Sequence, residues 1–254
     1  MLDREDLIEG RNAVQEALRA GRPMDKIYIA KGETDKTLAH IVAAAREAGV
    51  VIKDCDRRKL DAMSATGAHQ GIIAQVAVRE YCDVDDILEI ARSRGEDPFI
   101  IACDEISDPH NLGAIIRTAE CAGAHGIIIP KRRSAGITAV VDKASAGAAE
   151  HLPVARVPNL VAALKELKDN GVWIYGTDAD ASGELWKIDM KGPICLVIGS
   201  EGFGMGRLVR ESCDFTVSIP LHGRVTSLNA SAAAAVMIYE VLRQRAGEAG
   251  AVNG

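Results

Sequence analysis

The stretch Ile194-Cys195-Leu196-Val197-Ile198-Gly199-Ser200-Glu201-Gly202-Phe203-Gly204-Met205-Gly206 sets five apolar residues in a row directly before a turn with glycine at four of eight positions. An apolar run without alternation is what a strand covered on both faces requires, and such strands belong to parallel sheets. The turn that follows lets backbone amides approach a ligand closely. It does not match G-x-x-x-x-G-K-[ST], which excludes a nucleoside-triphosphate loop. Nor does it match G-x-G-x-x-G, and it follows a late strand rather than the first, which argues against a dinucleotide-dependent oxidoreductase. A flexible loop is the plain alternative; the carboxylate of Glu201 within the turn weighs against mere flexibility.

Outward from this stretch the same pattern repeats. Strands are expected near Phe99–Cys103, Gly126–Ile129, Pro153–Val157, Val172–Gly176, Ile194–Gly199 and Phe215–Ile219, with helices between most of them. Such alternation indicates an α/β fold with a mostly parallel sheet covered on both faces. A smaller α/β unit precedes it. There Lys26–Ile29, Val50–Ile52 and Ile72–Val78 read as strands, and Leu38, Ile41, Val42 and Ala45 repeat as an amphipathic helical stripe that Gly49 stops. Residues 81–97 carry six acidic side chains against two basic ones, with a short helical pattern around Ile87 and Leu88, and end at Gly95 and Pro98. The expected organisation is therefore a smaller α/β unit over 1–80, an acidic linker over 81–97 and a larger α/β unit over 98–254. An Ala-rich helix over 230–235 and a frayed polar tail after Arg245 close the chain.

At 254 residues, 48% hydrophobic and 26% charged, the composition is that of an ordinary globular protein. No apolar run approaches the roughly 20 residues of a membrane-spanning helix. The first residues lack the basic start and apolar stretch of a secretory signal. A cytoplasmic protein without membrane partners is expected. The six cysteines are scattered with no C-x-x-C pair, so neither a metal site nor a disulfide framework is expected. The net charge of −6 argues against broad affinity for nucleic acid. Most of that excess lies in 81–97, however, and basic clusters remain at Arg57-Arg58-Lys59 and Lys131-Arg132-Arg133, where local field governs phosphate attraction.

Two further places break the pattern of core and surface. In Asp108-Pro109-His110-Asn111-Leu112-Gly113-Ala114-Ile115-Ile116-Arg117-Thr118-Ala119, Leu112, Ile115, Ile116 and Ala119 form a buried stripe in a helix that Pro109 helps to start. Arg117 lies opposite that stripe, one turn after Gly113. A glycine inside a helix costs about 1 kcal/mol against alanine, which suggests space kept for a ligand beside the guanidinium. An arginine on a solvated face is the alternative. In Ile219-Pro220-Leu221-His222-Gly223-Arg224-Val225-Thr226-Ser227-Leu228-Asn229, Ser227 suits the N-cap of a helix apolar nearly all round through Met237, with Asn229 in its first turn. Capping and ligand contact both explain these polar residues. His110 and His222 have no nucleophile elbow or ligand partner at a recognised spacing.

Together the three stretches resemble the signature motifs of the SpoU (TrmH-like) branch of the SPOUT RNA methyltransferases: N-x-G-x-x-x-R-T-A at Asn111–Ala119, G-S-E-G-x-G at Gly199–Gly204, and I-P followed by S-L-N at Ile219–Asn229. Gly10-Arg11-Asn12-Ala13-Val14 and His69-Gln70-Gly71 resemble that branch's substrate-binding domain, so the resemblance spans nearly the whole chain. It implies a deep trefoil knot in the C-terminal domain, an L30e-like N-terminal domain, and a homodimer with active sites near the knot and across the interface. It also implies S-adenosylmethionine as cofactor, bound bent and largely through backbone at Gly199, Ile219 and Leu228, with Thr177 at the end of its strand. The implied catalytic and substrate-contact positions are Asn111, Arg117, Glu201, Ser227 and Asn229.

The implied reaction is 2′-O-methylation of a ribose. It demands alignment of ribose oxygen, methyl carbon and sulfur. Arg117 is expected to grip a neighbouring phosphate and stabilise charge on the oxygen, oriented by Glu201 and Asn111. The family's other role for this arginine, general base, is opposed by a guanidinium's hold on its proton. The two-domain layout favours a guanosine of 23S ribosomal RNA as target. A tRNA guanosine, the ribosomal adenosine methylated in thiostrepton resistance, and a non-catalytic RNA-binding module remain as alternatives.

Overall fold

The computed structural model describes residues 7–33, 35–64, 66–77, 80–179, 181 and 183–251, the last five by backbone alone. The described chain divides into two compact units, one of residues up to Glu80 together with Gly136–Asp142, the other of Tyr81–Ala135 and Lys143 onward.

In the first unit, β1 (Leu7–Glu9), β2 (Met24–Ala30), β3 (Val51–Cys55) and β4 (Ile72–Val76) make a sheet of order β1-β4-β2-β3. Its pairings are antiparallel except for β2 with β3. The helices α1 (Arg11–Arg19), α2 (Lys36–Glu47) and α3 (Arg57–Met63) connect the strands. The stripe on α2 buries Leu38, Ile41 and Ala45, and the Asp35 carboxylate caps the helix by accepting the Leu38 N–H at 2.9 Å. The expected strand over 72–78 ends at Val76, and Val78 lies outside the described residues. The two N-terminal stretches quoted for the resemblance meet: the Arg11 backbone N–H and Nε donate to the Gln70 side-chain and backbone oxygens, each at 3.1 Å.

The second unit opens with α4 (Val84–Arg94), where the acidic composition suggests a linker. Val84, Ile87, Leu88 and Ala91 are buried, and the first three join the core beside the sheet. Their spacing is i, i+3, i+4, i+7, so the acids simply occupy the opposite face. Gly95, left-handed at φ 66°, ends the helix. Along the chain then follow β5 (Phe99–Cys103), α5 (Pro109–Cys121), β6 (Gly126–Pro130), α6 (Ala139–Ala144), most of which belongs to the first unit, β7 (Val154–Val157), α7 (Leu160–Asp169), β8 (Trp173–Thr177), β9 (Gly183–Glu184), β10 (Ile194–Ile198), α8 (Arg207–Glu211), β11 (Phe215–Ser218) and α9 (Ala230–Ala251).

The seven strands run in the order β7-β6-β5-β10-β8-β11-β9, every neighbouring pair parallel. All five residues of β5 and all five of β10 are buried. Their register, from Ile194 beside Phe99 to Ile198 beside Cys103, brings the carboxyl ends of the two strands level. From β5 the chain proceeds to β6 and β7 on one side, then crosses to β8 on the other, and β10 fills the place between. Crevices outside the carboxyl ends at such a switch are where open parallel sheets bind ligands.

Helix α9 departs from expectation twice. It continues past Arg245 to Ala251, and within one chain it buries one face only: Ala230, Ala234, Met237, Ile238 and Val241 are covered, whereas Tyr239 is half exposed. Among the described residues no helix is long and apolar enough to cross a membrane.

Candidate active site

The turn after β10 is held from both ends. Ser200 and Gly204 exchange backbone hydrogen bonds of 2.9 Å, which close the loop around Glu201, Gly202 and Phe203. A Cβ on Gly199 would stand 2.3 Å from the Gly204 carbonyl carbon and 2.4 Å from the Met205 nitrogen, so only glycine fits there. The Gly206 N–H donates to Asp104 Oδ2 at 2.7 Å, tying the turn to the end of β5. Asp104 is buried, and desolvation raises its carboxyl above the ordinary range.

The loop after β5 leads into α5 with Asp108 accepting the His110 N–H at 2.8 Å and Pro109 in the first turn. That start projects Asn111 towards the glycine turn. Asn111 Nδ2 donates to Glu201 Oε1 at 2.8 Å. Asn229 Nδ2 donates to Asn111 Oδ1 at 3.0 Å and also to Glu201 Oε1, and the Ala230 N–H donates to the same carboxylate oxygen at 3.3 Å. One residue from each of the three stretches is thus hydrogen-bonded into a single cluster. A carboxylate at the N-terminus of α9 is also favoured by the helix dipole.

Asn229, rather than Ser227, caps α9. Its Oδ1 accepts the Ser231 N–H at 3.0 Å and the Ala232 N–H at 3.2 Å, and the Ser231 hydroxyl at 2.6 Å. The two ends of one amide therefore do different things: the oxygen terminates the helix and the nitrogen joins the cluster. Ser227, two residues earlier, is left exposed on the rim.

Behind the cluster lies a cavity of about 620 Å³. Thr177, Gly199, Ile219 and Leu228 all line it, together with Glu201 and Ser227. The Thr177 hydroxyl is already committed to the Val197 carbonyl at 3.1 Å, so this residue shapes the wall rather than offering its hydroxyl proton. Asp178 and Arg210, ion-paired to one another, line the same cavity. Neither was legible beforehand, because a pairing across 32 positions leaves no mark in local sequence. A second, shallower cleft of about 350 Å³ adjoins the first and shares with it Ser200, Glu201, Gly202, Phe203 and Ala230.

Arg117 stands apart. It is exposed on α5, and among the described residues it has no hydrogen-bond or ion-pair partner. Six residues beyond Asn111, it lies about 9 Å along the helix axis and roughly a third of a turn away. Glu201 and Asn111 therefore do not orient it within one chain, contrary to the sequence expectation. They are bonded to each other and to Asn229 instead.

The family model described as the SpoU rRNA methylase family matches residues 98–239, and the model described as RNA 2′-O ribose methyltransferase substrate binding matches 7–82. A Bacillus subtilis protein named as a TrmH family tRNA/rRNA methyltransferase is 49% identical over 96% of this chain and 98% of its own length. Among solved structures, the SpoU methyltransferase AviRb from Streptomyces viridochromogenes, in complex with AdoMet, superposes with a TM-score of 0.61 at 27% identity, covering 95% of this chain and 90% of that one. The A. aeolicus TrmH/SpoU tRNA modifying enzyme gives 0.56 at 27% identity, covering 65% of this chain and 84% of its own.

Proposed function

The chain belongs to the SpoU rRNA methylase family and is an RNA 2′-O-ribose methyltransferase, and from that premise we propose that its target is a guanosine ribose of 23S ribosomal RNA. The methyl donor is S-adenosylmethionine, the ligand of the AviRb structure. The cavity suits it. Ile198, Val217, Ile219 and Leu228 offer an apolar wall for an adenine ring, the bare backbone at Gly199 allows close approach, and the carboxylates of Glu201 and Asp178 suit a cationic molecule. When bound, the donor supplies an electrophilic methyl group carried on a sulfonium. Thr177, Gly199, Ile219 and Leu228 hold it, in this proposal, mainly by shape and backbone.

The observation that carries the proposal is the hydrogen-bonded cluster of Asn111, Glu201 and Asn229, which holds Glu201 in the wall of that cavity. These side chains fix the three loops in register, so the position of the reacting ribose is set before RNA arrives. Ser227, exposed on the rim, is a substrate contact. Arg117 stabilises charge growing on the ribose oxygen and holds an adjoining phosphate, acting as a donor fork rather than a base. Since Arg117 does not reach the cluster of its own chain, it serves the site of a second copy in a homodimer. Supporting this, α9 is apolar nearly all round through Met237 yet buries only one face in the single chain, and it packs against α5, which carries Arg117. Residues 1–80 bind RNA, residues 98–254 carry the chemistry with the knot of their family, and 81–97 join them as a packed helix. The enzyme works in the cytoplasm, where its RNA is found.

The same chemistry on tRNA is the competing target, given the tRNA modifying enzyme among the structural relatives. Labelled S-adenosylmethionine is incubated with either 23S ribosomal RNA or bulk tRNA, and the modified position is mapped. The expected result is label on the ribose of a single guanosine in 23S RNA. Label confined to tRNA would overturn the ribosomal target, and label on neither RNA would overturn the activity.

A further inference from the structure

The second cleft shares Ser200, Glu201, Gly202, Phe203 and Ala230 with the cavity proposed for the methyl donor, and its Glu105 and Arg133 have no part in the function proposed above. We infer that this cleft seats the base of the acceptor nucleotide, with Phe203 as its stacking platform and the Glu105 carboxylate, held by Arg133, reading the donor edge of a guanine. The inference rests on the methyl transfer proposed for the cavity.

Phe203 is 93% exposed, more than any other large apolar side chain described. It does not sit on a loose loop: the paired hydrogen bonds between Ser200 and Gly204 and the anchor from Gly206 to Asp104 fix the turn that carries it. A rigidly presented phenyl ring in water forgoes the burial that apolar groups ordinarily find. Single-stranded RNA is recognised by splaying bases onto such rings. The ring lines both the donor cavity and the cleft, so a base lying on it keeps its own ribose beside the shared wall that holds Glu201.

The charges of the cleft point to a base rather than a phosphate. Its described ionisable side chains are Glu105, Asp108, Glu201 and Arg133, three carboxylates against one cation. A carboxylate with two acceptor oxygens matches the adjacent N1–H and N2–H2 donors of guanine, an edge that adenine, cytosine and uracil lack. Glu201 is bonded through Oε1 into the Asn111–Asn229 cluster and Asp108 through Oδ1 to the first turn of α5, whereas Glu105 is the carboxylate oriented by a side-chain cation. Its Oε1 accepts from Arg133 at 2.6 Å. Both residues are non-glycine yet left-handed, at φ 58° and 55°. Strained backbone of this kind persists where the surrounding structure holds a side chain to a task. The facing loops after β5 and β6 thus present one carboxylate to the cleft, with the guanidinium of Arg133 fixing its orientation.

The test uses the full chain with 23S ribosomal RNA and bulk tRNA, measuring kcat, the KM for RNA and the affinity for S-adenosylmethionine. For Phe203→Ala and Phe203→Leu the KM for the methylated RNA, measured at saturating S-adenosylmethionine because the ring also borders the donor cavity, should rise about ten-fold, the loss of one stacked base. Phe203→Trp should restore the KM, and its added tryptophan emission should be quenched by RNA beyond the change seen in the wild type. Glu105→Gln should raise the KM for guanosine-containing substrate and narrow its preference over an RNA with inosine at that position, which lacks the N2 donors. Leucine performing as well as phenylalanine, or unquenched emission from the tryptophan variant, in an enzyme that methylates RNA would overturn the inference. Wild-type protein that transfers no methyl group to either RNA would instead overturn the function on which it rests.

Discussion

The cavity and the cleft stand back to back on one glycine turn, and they are built from different materials. The cavity is made mostly of strand ends, backbone and apolar side chains such as Ile198, Gly199, Val217 and Ile219, with its charge confined to Glu201 and the Asp178–Arg210 pair. The cleft is made of charged side chains from two loops, facing an exposed ring. Recognition by backbone depends on register and on the absence of side chains, so it changes little as surface chemistry varies. Recognition by side chains is free to vary without disturbing the sheet. In the function proposed here, one wall separates the holding of a methyl donor from the choice of a nucleotide.

The largest effect is expected where neither compartment is altered. Arg117→Ala should lower methyl transfer by about 10²–10³-fold, the usual cost of removing a group that stabilises developing charge, while cofactor affinity changes by no more than a few-fold. Single-turnover kinetics with a parallel cofactor titration measures both, and normal turnover would remove Arg117 from the mechanism. Next comes a substitution at the donor side of the shared turn. Gly199→Ala pushes a Cβ against the Gly204 and Met205 backbone, so cofactor affinity should fall by at least about ten-fold, some 1.4 kcal/mol, with RNA binding retained. Equal losses of both affinities would show that cavity and cleft are not separable.

Asn229→Ala touches the junction. It removes the α9 cap and two donations to the cluster, and should cost about 1 kcal/mol of stability for the cap, read as a lowered unfolding midpoint, together with reduced turnover. Asn229→Asp, which keeps the capping oxygen but sets a carboxylate against Glu201, should recover stability without recovering turnover. The smallest effect belongs to the scaffold under both compartments. His125 is buried at the foot of β5, where its Nδ1 accepts the Phe99 N–H at 2.9 Å and its other nitrogen faces Glu96. Burial lowers its pKa below 6.5. The unfolded chain therefore takes up a proton that the folded chain refuses. The stability contributed by neutral His125 is complete above the unfolded value and declines as pH falls from there through the lowered folded value. Thermal midpoints should drop between pH 7 and pH 5 more steeply for wild type than for His125→Asn, and parallel slopes would count against this assignment.

What the sequence revealed follows from range. Local periodicity showed the strands β5 and β10 and the buried stripe of α5, because burial on both faces or on one stripe repeats within a few residues. The three motifs identified Asn111, Glu201 and Asn229, and the fold brings these together. Composition misled at 81–97: six acids obscured the apolar positions of α4, and only the spacing of Val84, Ile87, Leu88 and Ala91 reveals a core helix. The cap of α9 fell two residues later than expected, since Ser227 and Asn229 are equally good capping residues and the turn geometry decides between them. Asp178 with Arg210, and Glu105 with Arg133, pair across loops whose proximity depends on the order of strands in the sheet. The isolation of Arg117 from its expected partners is a matter of helix phase, visible only once Asn111 is fixed in the cluster.

The most direct measurement is methyl transfer from labelled S-adenosylmethionine to two RNAs identical except that one carries 2′-deoxyribose at the mapped nucleotide. Transfer to the ribose form and none to the deoxy form is predicted, with both RNAs binding alike. Equal labelling of the two would contradict a site in which the cluster at Glu201 aligns a sugar oxygen with the methyl donor.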